Sequence, residues 1–328
     1  MKPKPPPKPI TPENILRALL LDGLAGHRAE AYPVTFSDPP TLTNGVRLRR
    51  EDAQPLVDAG LLAYVDSGTV HWHLTARGIR EAFPLVEEPK ALDVAALLRR
   101  IFDLAYFTED DPAIPHAWER GDPASRLVLV LGENASGKSF FRRIVRELTR
   151  RARKDDVGRP LKAGPLPVHE VLHFSMEGRS GGGFMSSAVY GCEGWLSTGA
   201  NSARTILKAA ETIAERPWTT IAYWDEPDLG MSNGCAAGAG IALRDFVESR
   251  HPLVQATFVT SHSVPLVRQL TLGLTAKPHY VYLGGATPAT LADWLVAQQD
   301  PTPISLEALH ETGNRRFHRI RDILNRKD

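Results

Sequence analysis

Cysteine is almost missing from these 328 residues: only Cys192 and Cys235 occur, and their spacing makes neither a disulfide framework nor a zinc site. A reducing compartment, the cytoplasm, is therefore expected. Net charge is nearly missing as well. Lys and Arg number 39 against 38 Asp and Glu, so any attraction to nucleic acid has to come from local clusters. No apolar run approaches the roughly 20 residues that span a bilayer, and the lysines of MKPKPPPKPITP precede no apolar signal region. The chain is expected to be neither exported nor inserted in a membrane. No internal repeat with a period of about 20 to 50 residues is visible, which removes solenoids and propellers. What remains, 42% hydrophobic and 23% charged residues, is an ordinary globular composition.

At about 150 residues per domain the length predicts two domains. Residues 1–10 are Pro and Lys, a basic tail that favours extended chain and supplies no core. Residues 11–88 read as a small α+β domain. Ile15, Leu16, Leu19, Leu20 and Leu24 recur at helical spacing after Thr11, and Pro33 to Asn44 is a proline-rich irregular stretch. RREDAQPLVDAGLL then reads as a helix, AYVDSGTVHWHL as a hairpin around Asp66-Ser67-Gly68, and LTARGIREAF as another helix.

Residues 89–328 read as one α/β domain. LDVAALLRRIFDLAYF (92–107) is predicted to be a single amphipathic helix and TEDDPAIPHAWERGDPAS an acidic, proline-punctuated connector. From Arg126 on, apolar β runs alternate with helical patterns, which argues for a largely parallel sheet.

Four segments carry chemistry. Gly132-Glu133-Asn134-Ala135-Ser136-Gly137-Lys138-Ser139 is a full G-x-x-x-x-G-K-S between an apolar strand and a helix. Glycines let backbone amides close around phosphates, Lys138 reaches the β and γ phosphates, and the Ser139 hydroxyl suits Mg²⁺. TTIAYWDEPD ends a buried strand on paired carboxylates, Asp225 for the metal and Glu226 to polarise an attacking water. Leu196-Ser197-Thr198-Gly199-Ala200-Asn201-Ser202 opens a helix whose apolar side is Ile206, Leu207, Ala210 and Ile213, a second phosphate-binding feature. Phe258-Val259-Thr260-Ser261-His262 ends a further strand. A chain has little use for two phosphate features unless a second copy is present.

Together these residues resemble the ATP-binding-cassette ATPases, within them the SMC-, RecF- and overcoming-lysogenisation-type group. GENASGKS resembles the Walker A, LSTGANS the signature, YWDEPDLG the Walker B with its glutamate, and TSHS the switch-histidine strand, in family order over about residues 126–265. The resemblance implies a compact P-loop fold that binds ATP and Mg²⁺ and hydrolyses ATP as a head-to-tail homodimer. It further implies that Lys138, Glu226 and His262 act in catalysis, that residues 132–139 cradle the phosphates, that Ser139 and Asp225 hold the metal, and that Ser197 and Gly199 cap the partner's γ-phosphate in trans. Residues 11–86 similarly resemble a winged helix-turn-helix domain, whose nucleic-acid contacts would come from Arg47, Arg49, Arg50, His71, Trp72 and His73; a protein-docking domain is the alternative.

Departures are visible as well. No Gln lies between Ser139 and Leu196, leaving Glu170, Ser175 or Glu177 to replace the family's Q-loop residue. Ser197 follows Lys138 by only 59 positions, too few for a long coiled-coil arm. Ser232 stands where members of the resembled family usually carry Asp or His. Trp118, Phe107 and Tyr106 are the candidates for stacking adenine. Two basic helices, FFRRIVRELTRRARK and NRRFHRIRDILNRK, suggest phosphate-backbone contacts. The expected role is an ATPase that acts on nucleic acid or gates a protein effector, as in DNA maintenance or anti-phage defence. The alternatives are a transporter's ATPase subunit and a nucleotide-binding DNA regulator with little turnover.

Overall fold

The computed structural model describes residues 10–24, 30–33, 46–66, 70–86, 91–150, 153–154, 160–161, 164–166, 168, 170–175, 197–249, 251–299 and 305–326. They fall into two compact units, one within Met1–Ala91, Glu211–Thr220 and His251–Leu253, the other within Leu92–Ala210, Ile221–Arg250 and Val254–Asp328.

In the first unit α1 (Pro12–Leu24) starts at Thr11, whose hydroxyl accepts the Asn14 N–H at 3.3 Å, and buries Ile15, Leu16, Leu19 and Leu20. The chain continues through β1 (Glu30–Pro33), β2 (Val46–Leu48), α2 (Arg50–Asp58), β3 (Leu62–Asp66), β4 (Val70–Leu74) and α3 (Ala76–Ala82). The strands form one sheet in the order β2-β1-β4-β3, with β3 and β4 paired antiparallel as the expected hairpin. Strands β1 and β2 were not anticipated, because three or four residues are too few to display a period. Of the proline-rich irregular stretch, Pro33 closes β1 and residues 34–44 lie outside the described residues. Trp72, 4% exposed, belongs to the core with its ring edge-on to Tyr64 and is not available to nucleic acid. Arg47 and Arg50 are exposed.

The second unit contains α4 (Val94–Phe102), α5 (Ala105–Thr108), β5 (His116–Glu119), β6 (Leu127–Leu131), α6 (Lys138–Leu148), β7 (Arg153–Lys154), β8 (Pro160–Leu161) and β9 (Glu170–Phe174). After these come α7 (Thr198–Ala214), β10 (Thr220–Asp225), α8 (Asn233–Glu248), β11 (Val254–Ser261), α9 (Val264–Thr271), β12 (His279–Leu283), α10 (Leu291–Ala297) and α11 (Leu306–Asn325), the ends of α7 and β10 reaching into the first unit's segments. The sheet is six-stranded and mostly parallel, in the order β5-β12-β6-β11-β10-β9, with β6 parallel to both β11 and β12. Every residue of β6 and β11 is buried, as suits central strands covered on both faces. Among the described residues no helix is long and apolar enough to cross a membrane.

Four expectations change. The single helix over 92–107 is two, broken at Asp103–Leu104. Phe102 and Phe107 would point about 140° apart on one straight helix, yet both enter the same core with ring centroids 5.3 Å apart. The connector after them contains β5, an edge strand antiparallel to β12 that sets Trp118 opposite Val281. The basic helix ends at Leu148: Arg150 lies beyond it, Arg153 and Lys154 form β7, and Arg151 lies outside the described residues. On α7 the buried side is Ser202, Thr205, Ile206, Ala209 and Ile213, while Leu207 is 62% exposed.

Candidate functional site

The carboxyl end of β6 runs into the glycine-rich loop and then α6. Gly132 has φ +148°, and a Cβ there would stand 2.2 Å from the Leu283 carbonyl oxygen, so only glycine lets the chain turn this close to β12. Gly137, at φ +104°, is the N-cap of α6, which leaves the first amides of the helix facing the loop. Within that loop Lys138 is 7% exposed; its Nζ donates to the carbonyls of Gly132 (2.9 Å) and Glu133 (3.1 Å). Ser136 is 1% exposed and its hydroxyl has no hydrogen-bond partner. A buried, unpartnered hydroxyl in a glycine-rich loop at a helix N-terminus fits an acceptor-rich ligand.

Two neighbouring strands bring the carboxylates and the histidine to this loop. β10 ends at Asp225; the next residue, Glu226, has φ +49°, its amide donating to both the carbonyl and the hydroxyl of Thr260 on β11 at 3.1 Å. Thr260 in turn donates to Asp225 Oδ1 at 2.5 Å. β11 ends one residue before His262, and His262 Nε2 lies 2.8 Å from Lys138 Nζ and 2.9 Å from Glu226 Oε1. One ring nitrogen cannot accept from the ammonium and donate to the carboxylate together, so a single proton arrangement satisfies only one side at a time. Lys138 and Glu226 are 3.9 Å apart. Three groups predicted from separate motifs thus meet at one point.

Charge at this point is finely set. Burial pulls Lys138 down from 10.5 to about 8, against the upward pull of Glu226, Asp225 and Glu133. The His262 hydrogen bond leads in holding Glu226 below the usual carboxylate range, outweighing burial, with the charges of His262 and Lys138 adding to it. Burial is the largest single influence on Asp225 and pushes it up; hydrogen bonds from His173 and Thr260, with the charges of His173 and Arg142, bring it below its ordinary value. Both carboxyls are therefore ionised at neutral pH.

Sequence reasoning missed His173 and the inward role of Arg142. His173 Nε2 is 3.4 Å and Arg142 3.8 Å from Asp225 Oδ2, and Arg142 also contacts the His173 ring. The signal was present in HEVLHFSM, where strand alternation puts His173 and Ser175 on one face at the strand's end. Of the proposed Q-loop substitutes, Ser175 lines the cavity beside Asp225, Glu170 sits at the far end of β9, and Glu177 lies outside the described residues. Among the described residues no trio of His, Cys, Asp or Glu gathers as a metal cage. Ser139 and the ionised Asp225 share the cavity, and this sparse set of hard oxygens fits Mg²⁺, which takes few protein ligands and completes its shell with water and phosphate.

The cavity measures about 750 Å³ and is bounded by the loop, Asp225, Glu226 and one side of α11. Phe107 is buried in the core, Tyr106 stands edge-on to Phe140, and Trp118 packs on Phe102; none of the three lines the cavity, which corrects the expectation that one of them stacks adenine. Ser197 and Gly199 do not line it either. They open α7, Ser197 exposed with its Oγ accepting the Ala200 N–H at 3.3 Å. A Cβ on Gly199 would stand 2.6 Å from the Gly230 carbonyl oxygen, and the buried Ser202 hydroxyl donates to the Leu229 carbonyl at 2.8 Å. The start of α7 is thereby held on the turn that follows Glu226.

The unit is an α/β domain whose sheet is compatible with Rossmann-like and P-loop-like folds. No protein-family model matches the chain, and no curated protein matches it.

Proposed function

We propose that this chain is a Mg²⁺-dependent ATPase of the ATP-binding-cassette kind, in which two copies share each bound triphosphate. The observation that carries the reading is the meeting of Lys138, Glu226 and His262 beside the glycine-rich loop, since three residue types at widely separated positions converge where a γ-phosphate and its attacking water need them.

Lys138 is held by its own loop's carbonyls. A triphosphate offers it stronger acceptors, and the loop amides, the Ser136 hydroxyl and the N-terminus of α6 supply the rest of the anion cradle. Withdrawal of Lys138 frees His262 Nε2 to donate, and Glu226, ionised, accepts a hydrogen bond from water and orients it for in-line attack on the γ-phosphorus. Ser139 and Asp225 would hold Mg²⁺, which neutralises charge on the phosphate oxygens. Cleavage of the Pγ–O bond yields ADP and inorganic phosphate, the water's proton passing toward Glu226. Ser197 is exposed and Gly199 half-buried at the start of α7; in this reading that face meets a neighbouring molecule's γ-phosphate, and its support by the turn after Glu226 ties it to the carboxylate.

The N-terminal domain acts as the adaptor in this reading, through winged-helix-like contacts to nucleic acid by Arg47 and Arg50 or through a protein effector. The exposure of those arginines supports the first use.

The test uses Glu226→Gln with the full chain. ATP binding is retained, turnover falls by at least about a hundredfold, and light scattering reports a dimer only with ATP and Mg²⁺. A Glu226→Gln protein that hydrolyses ATP at the wild-type rate, or stays monomeric with saturating ATP, overturns the proposal.

A further inference from the structure

The cavity has two chemically distinct ends. At one lie the loop amides, Lys138, Asp225 and Glu226; at the other, the side of α11 formed by Gly313, Arg316, Phe317, Ile320, Arg321 and Leu324, facing Phe140 and Arg143. Those six positions advance by three and one, the spacing of a single helix face. The helix is fastened there. Arg316 donates to the Ala135 carbonyl at 2.6 Å and the Gly284 carbonyl at 3.3 Å, Arg319 pairs with Glu109 at 2.9 Å, and Arg326 pairs with the same carboxylate. Gly313 lies against the loop: a Cβ there would be 3.4 Å from Ala135 Cβ, a contact distance.

Phe317 stands out on this face. It is 62% exposed, although Ile320 and Ile323 on the same helix pack against the core. Its ring meets only the edge of His318 among the described aromatic contacts, at 5.7 Å. A large exposed aromatic lining the same cavity as the glycine-rich loop and Phe140 matches the make-up of a site for a planar ring attached to phosphates.

We propose that α11 provides the base-binding half of the site, with Phe317 stacking on the base of the nucleoside triphosphate while Arg316 ties the helix to the phosphate loop. The inference rests on the nucleotide reading above and adds to it the residue that tells a nucleotide from a bare polyphosphate.

Isothermal titration calorimetry of the full chain with Mg²⁺ compares ATP with inorganic tripolyphosphate for wild type, Phe317→Ala, Phe317→Tyr and Lys138→Ala. Loss of a stacking ring weakens ATP about tenfold in Phe317→Ala, leaves tripolyphosphate within about twofold, and is reversed by Phe317→Tyr. Thermal melting confirms that each variant is folded. If Phe317→Ala binds ATP like wild type, or loses both ligands equally, while Lys138→Ala loses both, the base lies elsewhere and this proposal falls while the phosphate cradle stands. If Lys138→Ala binds both ligands as tightly as wild type, the nucleotide reading fails and this inference with it.

Discussion

Replacing Lys138 by Met should make the ligand-free protein more stable and unable to hold ATP. Lys138 is buried, and its pKa drop from 10.5 to about 8 means that folding penalises the ammonium. At about 1.4 kcal/mol per unit the penalty is about 3 kcal/mol. Methionine removes that penalty with a similar apolar stem. Set against it are the hydrogen bonds to the Gly132 and Glu133 carbonyls, roughly 1 kcal/mol each. The net gain is about 1 kcal/mol, or a melting temperature about 2–4 °C higher for a unit of this size. The pH dependence has a definite sign. The folded pKa lies below the unfolded one, so the penalty is fully present below about pH 8 and fades as pH rises through 10.5, above which both states are neutral. Scanning calorimetry of both proteins without nucleotide at pH 7 and pH 10, with ATP titration at pH 7, is the assay. A Lys138→Met protein that melts lower than wild type at pH 7 refutes the claim that stability is sacrificed here for ligand binding.

Two further variants probe the surroundings. Gly199→Ala drives a methyl to 2.6 Å from the Gly230 carbonyl oxygen, so the start of α7 shifts; chemical denaturation should show a loss of about 1–3 kcal/mol, with ATP binding by the monomer kept and turnover lost. Unchanged turnover would detach α7 from the reaction. His279 is 1% exposed, its Nδ1 accepting the Gly121 N–H at 3.1 Å, and burial lowers its pKa. The unfolded chain takes up that proton first, so urea stability should fall as pH drops below about 6.5, by up to about 1.4 kcal/mol per pH unit for this residue. His279→Gln should lessen the slope; identical slopes in both proteins contradict the assignment.

Legibility followed periodicity and spacing. β6, β10 and β11 announced themselves as apolar runs, and the glycine-rich loop, Asp225-Glu226 and His262 each stand directly after one, so their convergence follows once those strands are neighbours. β5 was hidden because an edge strand of four residues among prolines takes its order from β12 and from no pattern of its own. The break at Asp103–Leu104 was hidden because both Phe102 and Phe107 look apolar on any helix, and only the core decides that they must face the same way. His173 and Arg142 escaped notice since the partner that gives them meaning, Asp225, lies far along the chain. α11 was recognised by its arginines, yet Arg316 and Arg319 serve to fasten the helix.

Sharing of each triphosphate between two copies is tested most directly by mixing two inactive proteins, Lys138→Met, with an intact α7 face, and Ser197→Arg, with an intact cradle. In a mixed dimer one of the two sites joins the intact cradle to the intact face. Random pairing of equal amounts should recover about a quarter of the wild-type ATPase rate. A mixture no more active than the two proteins measured separately would contradict the account.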